Sequence, residues 1–247
     1  MGKVEPSWCP EQQKKPPDLC TDHLPNVLAI NSSVLANTAD IRDRLAFGVY
    51  AFNSKVDVAL VCNGDTALAK KGSKTVKNAD ARHYSVFFAG KWDKSYVKGV
   101  RYAAIRSIQN LKLEKPVRIE KRMSDKDYLH SLQTSELCLA PRGSRVWSPR
   151  LFEMMWFGCI PVIIASGYYL PGACFFNWTD FAIIVPEEKA DQAGELILPY
   201  LMDSERLTTM RRKVLELRHH FTWSKKETEG DAFDLALLDV YLKQQRC

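Results

Sequence analysis

The chain has 247 residues, enough for one large or two small domains with a packed core. Its apolar content of 46% and charged content of 26% are ordinary for a globular protein, and no apolar run is long enough for a membrane-spanning helix. The net charge of +6 is uneven, because residues 81–135 hold 12 Lys or Arg against 5 Asp or Glu. This basic segment lacks the aromatic interleaving of single-strand nucleic-acid binders, so we expect a nucleotide or an acidic polysaccharide as partner and no nucleic acid.

The first 80 residues give weak structural signals. Their start is rich in proline, lysine and glutamine, and it lacks the apolar core of a secretory signal. We predict irregular structure there, and weak apolar patterns follow at 24–35 and 41–49. Residues 56–62 are predicted to form a strand. The polar, basic stretch 70–80 is predicted to be a hinge between two domains.

From residue 82 onward, apolar strand patterns alternate strictly with helical ones. Such alternation predicts a parallel, doubly wound α/β sheet. The predicted strands are 84–89, 117–121, 137–140, 159–165 and 181–185. The predicted helices are 96–111, two that open at Ser124 and Ser148, then 190–201, 204–218 and 232–245, the last one after a polar break at 219–230.

Residues 135–164 are the most informative stretch, and they are predicted to form strand, loop, helix and strand. Pro141 and Gly143 end the first strand. Ser148 has the residue type of a helix N-cap, with Pro149 at the first helical position. Gly158 is suited to the left-handed conformation that ends many helices.

Charged residues cluster where this loop meets its helix. Arg142 and Arg145 lie in the loop, Arg150 lies in the first helical turn, and Glu153 follows one turn later. The N-terminus of a helix repels cations and attracts anions, so three arginines there favour a bound phosphate or diphosphate. The alternative is a solvated basic loop with one ion pair on the helix surface between Arg150 and Glu153.

The seven cysteines show no spacing typical of zinc ligands. Cys138 and Cys159 fall inside apolar strands and are interpreted as buried thiols. Cys9 and Cys20 could pair in an oxidising compartment. Asn31 and Asn177 begin glycosylation sequons, and we expect Asn177 to be partly buried.

Two further patterns have both a chemical and a structural interpretation. Asp125-Lys126-Asp127 has the D-x-D form of a metal-nucleotide chelate, yet it opens a predicted helix, where acidic residues simply favour the helix dipole. His219-His220 could bind metal or transfer protons. Adjacent histidines point to different faces of a helix, so a solvated helix end is the favoured interpretation.

A divalent metal is compatible with nucleotide chemistry, but no residue pattern indicates a site for one.

Several motifs, in order over residues 82–220, resemble those of the exostosin family of glycosyltransferases. They are the 135–164 stretch, Phe87-Phe88-Ala89-Gly90, Gly167-Tyr168-Tyr169-Leu170-Pro171 and Asn177-Trp178-Thr179-Asp180-Phe181 with the following Ile183-Ile184-Val185-Pro186-Glu187. Directly after Gly167-Tyr168-Tyr169-Leu170-Pro171, Gly172 stands where the family has an aromatic residue.

The resemblance implies a GT-B fold, with two Rossmann-like lobes facing a cleft and the C-terminal lobe holding the donor. It implies transfer of a sugar from a UDP-sugar to a glycan or polysaccharide acceptor, with inversion, in the Golgi. The family's donor site corresponds here to Arg142, Arg145, Arg150 and Glu153, and the backbone N–H groups near Gly143 and Ser148 are further candidates for binding the donor. Glu153 would accept hydrogen bonds from the ribose. The catalytic base is not identified, since it normally belongs to the acceptor side.

The predicted organisation is therefore a partial, acceptor-side region at 1–80, the nucleotide-sugar domain at 81–220 and a C-terminal helix at 221–247. Because the acceptor side is short, we expect a partial chain in which donor binding exceeds sugar transfer. A second hypothesis is a catalytically degenerate donor-binding subunit of a hetero- or homo-oligomer with another glycosyltransferase. A third is an unrelated phosphate-binding α/β protein, which the absence of a P-loop or a G-x-G-x-x-G motif disfavours.

Overall fold

The computed structural model describes residues 58–62, 66–74, 82–143, 147–226 and 228–244. The strands are β1 (Tyr84–Ala89), β2 (Val117–Glu120), β3 (Ser135–Pro141), β4 (Ile160–Ile164) and β5 (Ile183–Val185). The α-helices are α1 (Thr66–Lys74), α2 (Val100–Gln109), α3 (Asp125–Thr134), α4 (Arg150–Trp156), α5 (Ala193–Leu201), α6 (Ser204–Leu217) and α7 (Ala232–Gln244). Short 3-10 helices cover Tyr96–Gly99, Trp178–Asp180, Glu187–Gln192 and Arg218–Phe221.

The five strands form one parallel sheet in the order β2-β1-β3-β4-β5. Helix α3 contacts β1 and β3, α2 packs on α5, and α4 packs on β4 and α6. Since crossovers between parallel strands are right-handed, α2 lies on one face of the sheet and α3 and α4 on the other. The predicted α/β class, with a parallel sheet covered on both faces, is confirmed. It is consistent with a GT-B-like lobe.

The core lies between the sheet and these helices. All five residues of β4 are buried, as expected for a strand covered on both faces. Helix α3 begins at the predicted position, because the Ser124 Oγ accepts a hydrogen bond from the Asp127 backbone N–H at 3.1 Å. Gly158, with φ +70°, follows α4 in the left-handed conformation that the sequence predicted. No helix among the described residues is long and apolar enough to cross a bilayer.

Two predictions for the first half of the chain were wrong in the part that the structure describes. Residues 58–62 are largely buried but form no strand, because no strand of the described sheet pairs with them; the Val61 carbonyl instead accepts a hydrogen bond from the Trp223 indole at 2.9 Å. Of the predicted hinge, Lys70 to Lys74 form the end of α1, which packs closely enough on α4 for a Cβ at Gly72 to come within 2.7 Å of the Trp156 carbonyl oxygen. Residues 1–57 and 75–81 lie outside the described residues, with Cys9, Cys20 and Asn31 among them.

The prediction that Cys138 and Cys159 are buried thiols was also wrong. Their sulfurs form a disulfide between β3 and the residue before β4, with the Cα atoms 5.9 Å apart. The two strands are hydrogen-bonded neighbours, so residues that are 21 apart in sequence meet in the core. A disulfide of this kind is typical of proteins that fold in an oxidising compartment.

Peptide mapping without reductant provides a direct test of this bond. We expect a peptide containing Cys138 to be cross-linked to one containing Cys159, and we expect the pair to resist alkylation until the chain is unfolded and reduced. The exposed fraction of both residues is 0%, so reagents reach them only on unfolding. Rapid alkylation of both sulfurs in the folded, non-reduced chain would contradict the assignment.

The histidine pair differs from its prediction as well. The rings of His219 and His220 lie 3.7 Å apart and do not point to different faces, because the chain forms a tight 3-10 turn there and not an α-helix. His219 is exposed as predicted, whereas His220 is half-buried beside the Phe176 ring. Burial lowers the pKa of His220, and the neighbouring His219 lowers it further.

Three charged side chains are buried between the sheet and α6. Arg211 forms an ion pair with Glu136 and donates to the Gly158 carbonyl at 3.2 Å. Arg82 donates to the Ser135, Phe157 and Leu132 carbonyls, and burial lowers its pKa to about 9. The Glu136 carboxylate acts on the pKa of both arginines in the opposite direction to burial. It is therefore the counter-charge on which both depend.

Candidate functional site

The order of the strands places a crevice between β1 and β3. From β1 the chain crosses to β2 on one side, and from β3 it crosses to β4 on the other. In open parallel sheets, ligands bind outside the carboxyl ends of the strands at such a switch point. Gly90 follows β1 there, and Arg142 and Gly143 follow β3. The predicted loop thus lies where the topology favours a ligand.

Helix α4 begins one residue later than predicted, at Arg150 with Pro149 as N-cap. The Ser148 Oγ accepts the Arg150 backbone N–H at 3.3 Å, so this serine does satisfy one N–H at the helix start. Ser148, Arg150 and Glu153 are all half-buried at the carboxyl edge of the sheet. Arg145 lies outside the described residues, and its role stays a prediction.

The Arg150 guanidinium lies against the end of β1. Its Cζ is 5.1 Å from the centre of the Phe88 ring, and a Cβ added at Gly90 would come within 3.1 Å of its Nη2. Gly90 also has φ +147°, which disfavours any larger residue. The Arg150 Nε is buried without a hydrogen-bond partner in the described part of the chain. A buried donor of this kind is available to an anion that enters the crevice.

Arg142 extends in the opposite direction, toward β5. Its Nη1 forms an ion pair with the Glu187 carboxylate at 3.2 Å, and both side chains are largely buried. The same carboxylate accepts the Ser166 backbone N–H at 3.0 Å. Arg142 therefore links the loops after β3, β4 and β5, and Glu187 already balances its charge. Of the three predicted arginines, the two that the structure describes, Arg142 and Arg150, have separate partners.

Glu153 has a partner that the sequence did not predict. The Tyr128 hydroxyl donates to the Glu153 Oε2 at 2.6 Å, and the described residues show no Arg150–Glu153 ion pair. Burial raises the pKa of Tyr128, and the Glu153 charge raises it further, whereas the nearby Arg150 lowers it. Burial raises the pKa of Cys62 to about 11, and Glu153 is again the second cause. The carboxylate is thus oriented by a neutral tyrosine and borders a neutral thiol.

Sequence analysis missed one further charged residue of this site, Arg101 on α2. It shares a helix face with the buried Ile105 and Ile108, four and seven residues later. A lone arginine on an apolar helix face is the signal that could have identified it. Burial lowers the pKa of Arg101 to about 10, with Arg150 as the second cause, so the two guanidinium groups lie near each other.

The D-x-D residues are placed at the start of a helix. Asp125 and Asp127 are exposed in the first turn of α3, where the sequence predicted them. In the described ranges no three His, Cys, Asp or Glu side chains are grouped as metal ligands would be.

The sequence profile of the Exostosin GT47 domain matches residues 24–198. The chain belongs to the exostosin GT47 family. It is a glycosyltransferase-family protein, and the resemblance of its motifs to this family is confirmed. The match includes β1 to β5 and the whole β3–α4 loop.

Plant and animal relatives agree with this assignment. A probable glycosyltransferase of Arabidopsis thaliana is 28% identical over 198 residues, or 78% of this chain and 39% of the relative. A probable glucuronoxylan glucuronosyltransferase of the same plant is 30% identical over 172 residues, or 66% of this chain and 37% of the relative. An exostosin-1 homolog of Caenorhabditis elegans is 37% identical over 92 residues, or 37% of this chain and 22% of the relative. These aligned regions span well under half the length of each relative.

Proposed function

We propose that this exostosin-family chain binds a UDP-sugar at the β1–β3 crevice and serves the inverting transfer of its sugar to a glycan acceptor. One observation carries the proposal. Arg150, with its buried and unpartnered Nε, lies against the glycine after β1 at the switch point of a parallel sheet. A guanidinium in that position suits a diphosphate, because it can bind two phosphate oxygens at once.

The chemistry of the reaction gives this charge a role. The bond between the sugar and UDP breaks as the acceptor attacks, and negative charge develops on the departing diphosphate. Fixed positive groups stabilise that charge in the transition state without reorganising. Arg150 is the best-placed donor among the described residues, and the backbone N–H groups of Gly143 and Ser148 are proposed to assist it. Arg145 is proposed for the same role from its place in the sequence. Arg142 acts indirectly, by holding the loops after β3, β4 and β5 together through Glu187.

Glu153 is proposed to accept hydrogen bonds from the ribose hydroxyls. Its Oε2 is already bound by the Tyr128 hydroxyl, which fixes the carboxylate and directs its remaining acceptor capacity to a ligand. We assign no described residue as the general base that takes the proton of the acceptor hydroxyl.

Glu153→Gln tests the ribose contact. We expect uridine affinity to fall by about tenfold, because a charge-assisted hydrogen bond is replaced by a neutral one. Pyrophosphate affinity should not fall, since pyrophosphate carries no ribose and the removed carboxylate charge no longer repels it. Glu195→Gln, an exposed carboxylate on α5, is the matched control. Calorimetry with both ligands measures the difference, and equal losses would remove Glu153 from the ribose site.

The compartment proposed for this chemistry is the Golgi lumen. The Cys138–Cys159 disulfide supports an oxidising environment, which the lumen of the secretory pathway provides. Asn177, which begins a sequon, is half-buried as predicted.

The donor-binding subunit is the alternative function, with activity residing in a partner glycosyltransferase. This hypothesis stays open because the chain spans less than half the length of the relatives it matches. Turnover of radiolabelled UDP-sugars, with and without a partner enzyme, distinguishes the two. UDP-glucuronic acid should be included, because several relatives have names of glucuronosyltransferases. Tight binding of phosphate compounds without preference for a nucleotide would contradict a nucleotide-sugar site under either hypothesis.

A further inference from the structure

Arg101 is a charged residue on the inner face of α2, with only 7% of its surface exposed. Burying a guanidinium costs several kcal/mol, on the order of the penalty for any desolvated ion, unless hydrogen bonds replace its water. The partners that Arg101 has acquired therefore indicate what it does.

Its partners are three backbone carbonyls on two different loops. The Arg101 Nε donates to the Arg142 carbonyl at 2.8 Å, and its Nη2 lies 3.4 Å from the Pro141 carbonyl. The Nη1 donates to the Lys91 carbonyl at 2.9 Å. Lys91 follows β1 and Arg142 follows β3. One guanidinium thus joins the loops on both sides of the switch-point crevice.

Aromatic rings and a glycine fix the position of this guanidinium. Its Cζ lies 4.9 Å from the Tyr96 ring centre and 5.7 Å from that of Phe88. A Cβ at Gly143 would come within 2.8 Å of its Nη2, a separation that real Cβ atoms do not show. A residue larger than glycine at position 143 would therefore have to displace the Arg101 guanidinium.

Peptide geometry connects Arg101 to the ligand. The C=O and N–H of a trans peptide point in opposite directions. Because Arg101 holds the Arg142 carbonyl, the N–H of the same peptide, which belongs to Gly143, points away from Arg101. This N–H is one of the backbone groups proposed above to bind the diphosphate.

We propose that Arg101 is a positioning residue for the diphosphate, which sets the loop after β1 and the Gly143 peptide in their binding arrangement. The inference rests on the proposed function and extends it to a residue that does not itself touch the ligand. It predicts that diphosphate binding requires the planar guanidinium group with its several N–H donors, and that a positive charge alone at position 101 is not sufficient.

Arg101→Lys and Arg101→Ala test this, with Arg106→Ala on the exposed side of the same helix as control. We expect both Arg101 variants to lose UDP and pyrophosphate affinity by about tenfold or more, and uridine affinity by less than about twofold. Methylguanidinium should restore pyrophosphate binding to Arg101→Ala, whereas methylammonium should not. Unchanged pyrophosphate affinity in Arg101→Lys, or equal losses for pyrophosphate and uridine, would overturn the proposal.

Gly143→Ala, measured alone and in the Arg101→Ala background, provides a second test. Alone it should weaken pyrophosphate binding, because the new Cβ displaces the guanidinium. In the Arg101→Ala background it should weaken binding little further, since the contact has been removed. Fully additive losses would overturn the coupling.

Amide hydrogen exchange separates this inference from the proposed function. In Arg101→Lys, peptides covering residues 90–93 and 141–143 should exchange faster, while those of α6 should not. A wild-type chain that fails to bind UDP would contradict the proposed function alone, whereas unchanged exchange in both loops would contradict the role of Arg101.

Discussion

Replacing Arg150 with alanine is expected to weaken UDP binding by about 1–3 kcal/mol, the range for a hydrogen bond to a charged group. Its Nε is buried without a hydrogen-bond partner in the described residues, and no ion pair joins Arg150 to a carboxylate there. Folding stability should change by less than about 1 kcal/mol, because the Phe88 ring contact at 5.1 Å is the main packing that is lost. Arg145→Ala is expected to act in the same direction.

Arg206→Ala is the matched control for this substitution. Arg206 is exposed, yet its Cζ also lies over an aromatic ring, 3.9 Å from the centre of Tyr200. Calorimetric titration of UDP into the three variants and the wild type measures the effect. If both Arg145→Ala and Arg150→Ala bind UDP as the wild type does, the diphosphate does not lie at this end of α4.

Glu136→Gln is expected to give the largest loss of stability. Removing one partner of a buried ion pair costs about 3–5 kcal/mol, because the other charge is left without compensation. Arg211 and Arg82 would both lose their buried counter-charge, and Lys115, which binds the same carboxylate at 2.7 Å, would lose a partner at the surface.

Chemical unfolding monitored by circular dichroism measures this loss. Glu216→Gln is the control, because Glu216 pairs with Lys213 at the exposed surface of α6 and should contribute less than about 1 kcal/mol. Equal midpoints and slopes for Glu136→Gln and Glu216→Gln would mean that the buried cluster does not depend on its carboxylate.

The sheet was predictable because its inner strands are largely apolar between turn residues, and the edge strand β2 alternates apolar and charged residues. The same patterns do not record which strands are neighbours, and two features of the molecule depend on that. Cys138 and Cys159 meet only because β3 and β4 pair in one particular register. Arg142 meets Glu187 only because the loops after β3 and β5 lie at the same edge.

The helix 96–111 illustrates a local limit of the prediction. Its apolar spacing is continuous, yet Gly99 adopts φ +77° and divides it into a 3-10 turn and α2. This break brings Tyr96 over the Arg101 guanidinium, so the irregularity belongs to the site. The strand predicted at 56–62 is absent from its described part, 58–62, because apolar residues can be buried without pairing to a sheet.

A crystal structure of the chain with UDP tests the central claim most directly. We predict that the diphosphate contacts the Arg150 guanidinium beside Gly90, with the Gly143 N–H directed at it and the ribose beside Glu153. UDP bound at the amino edge of the sheet, or on the β5 side with the Arg142–Glu187 pair broken and Arg150 untouched, would contradict the account.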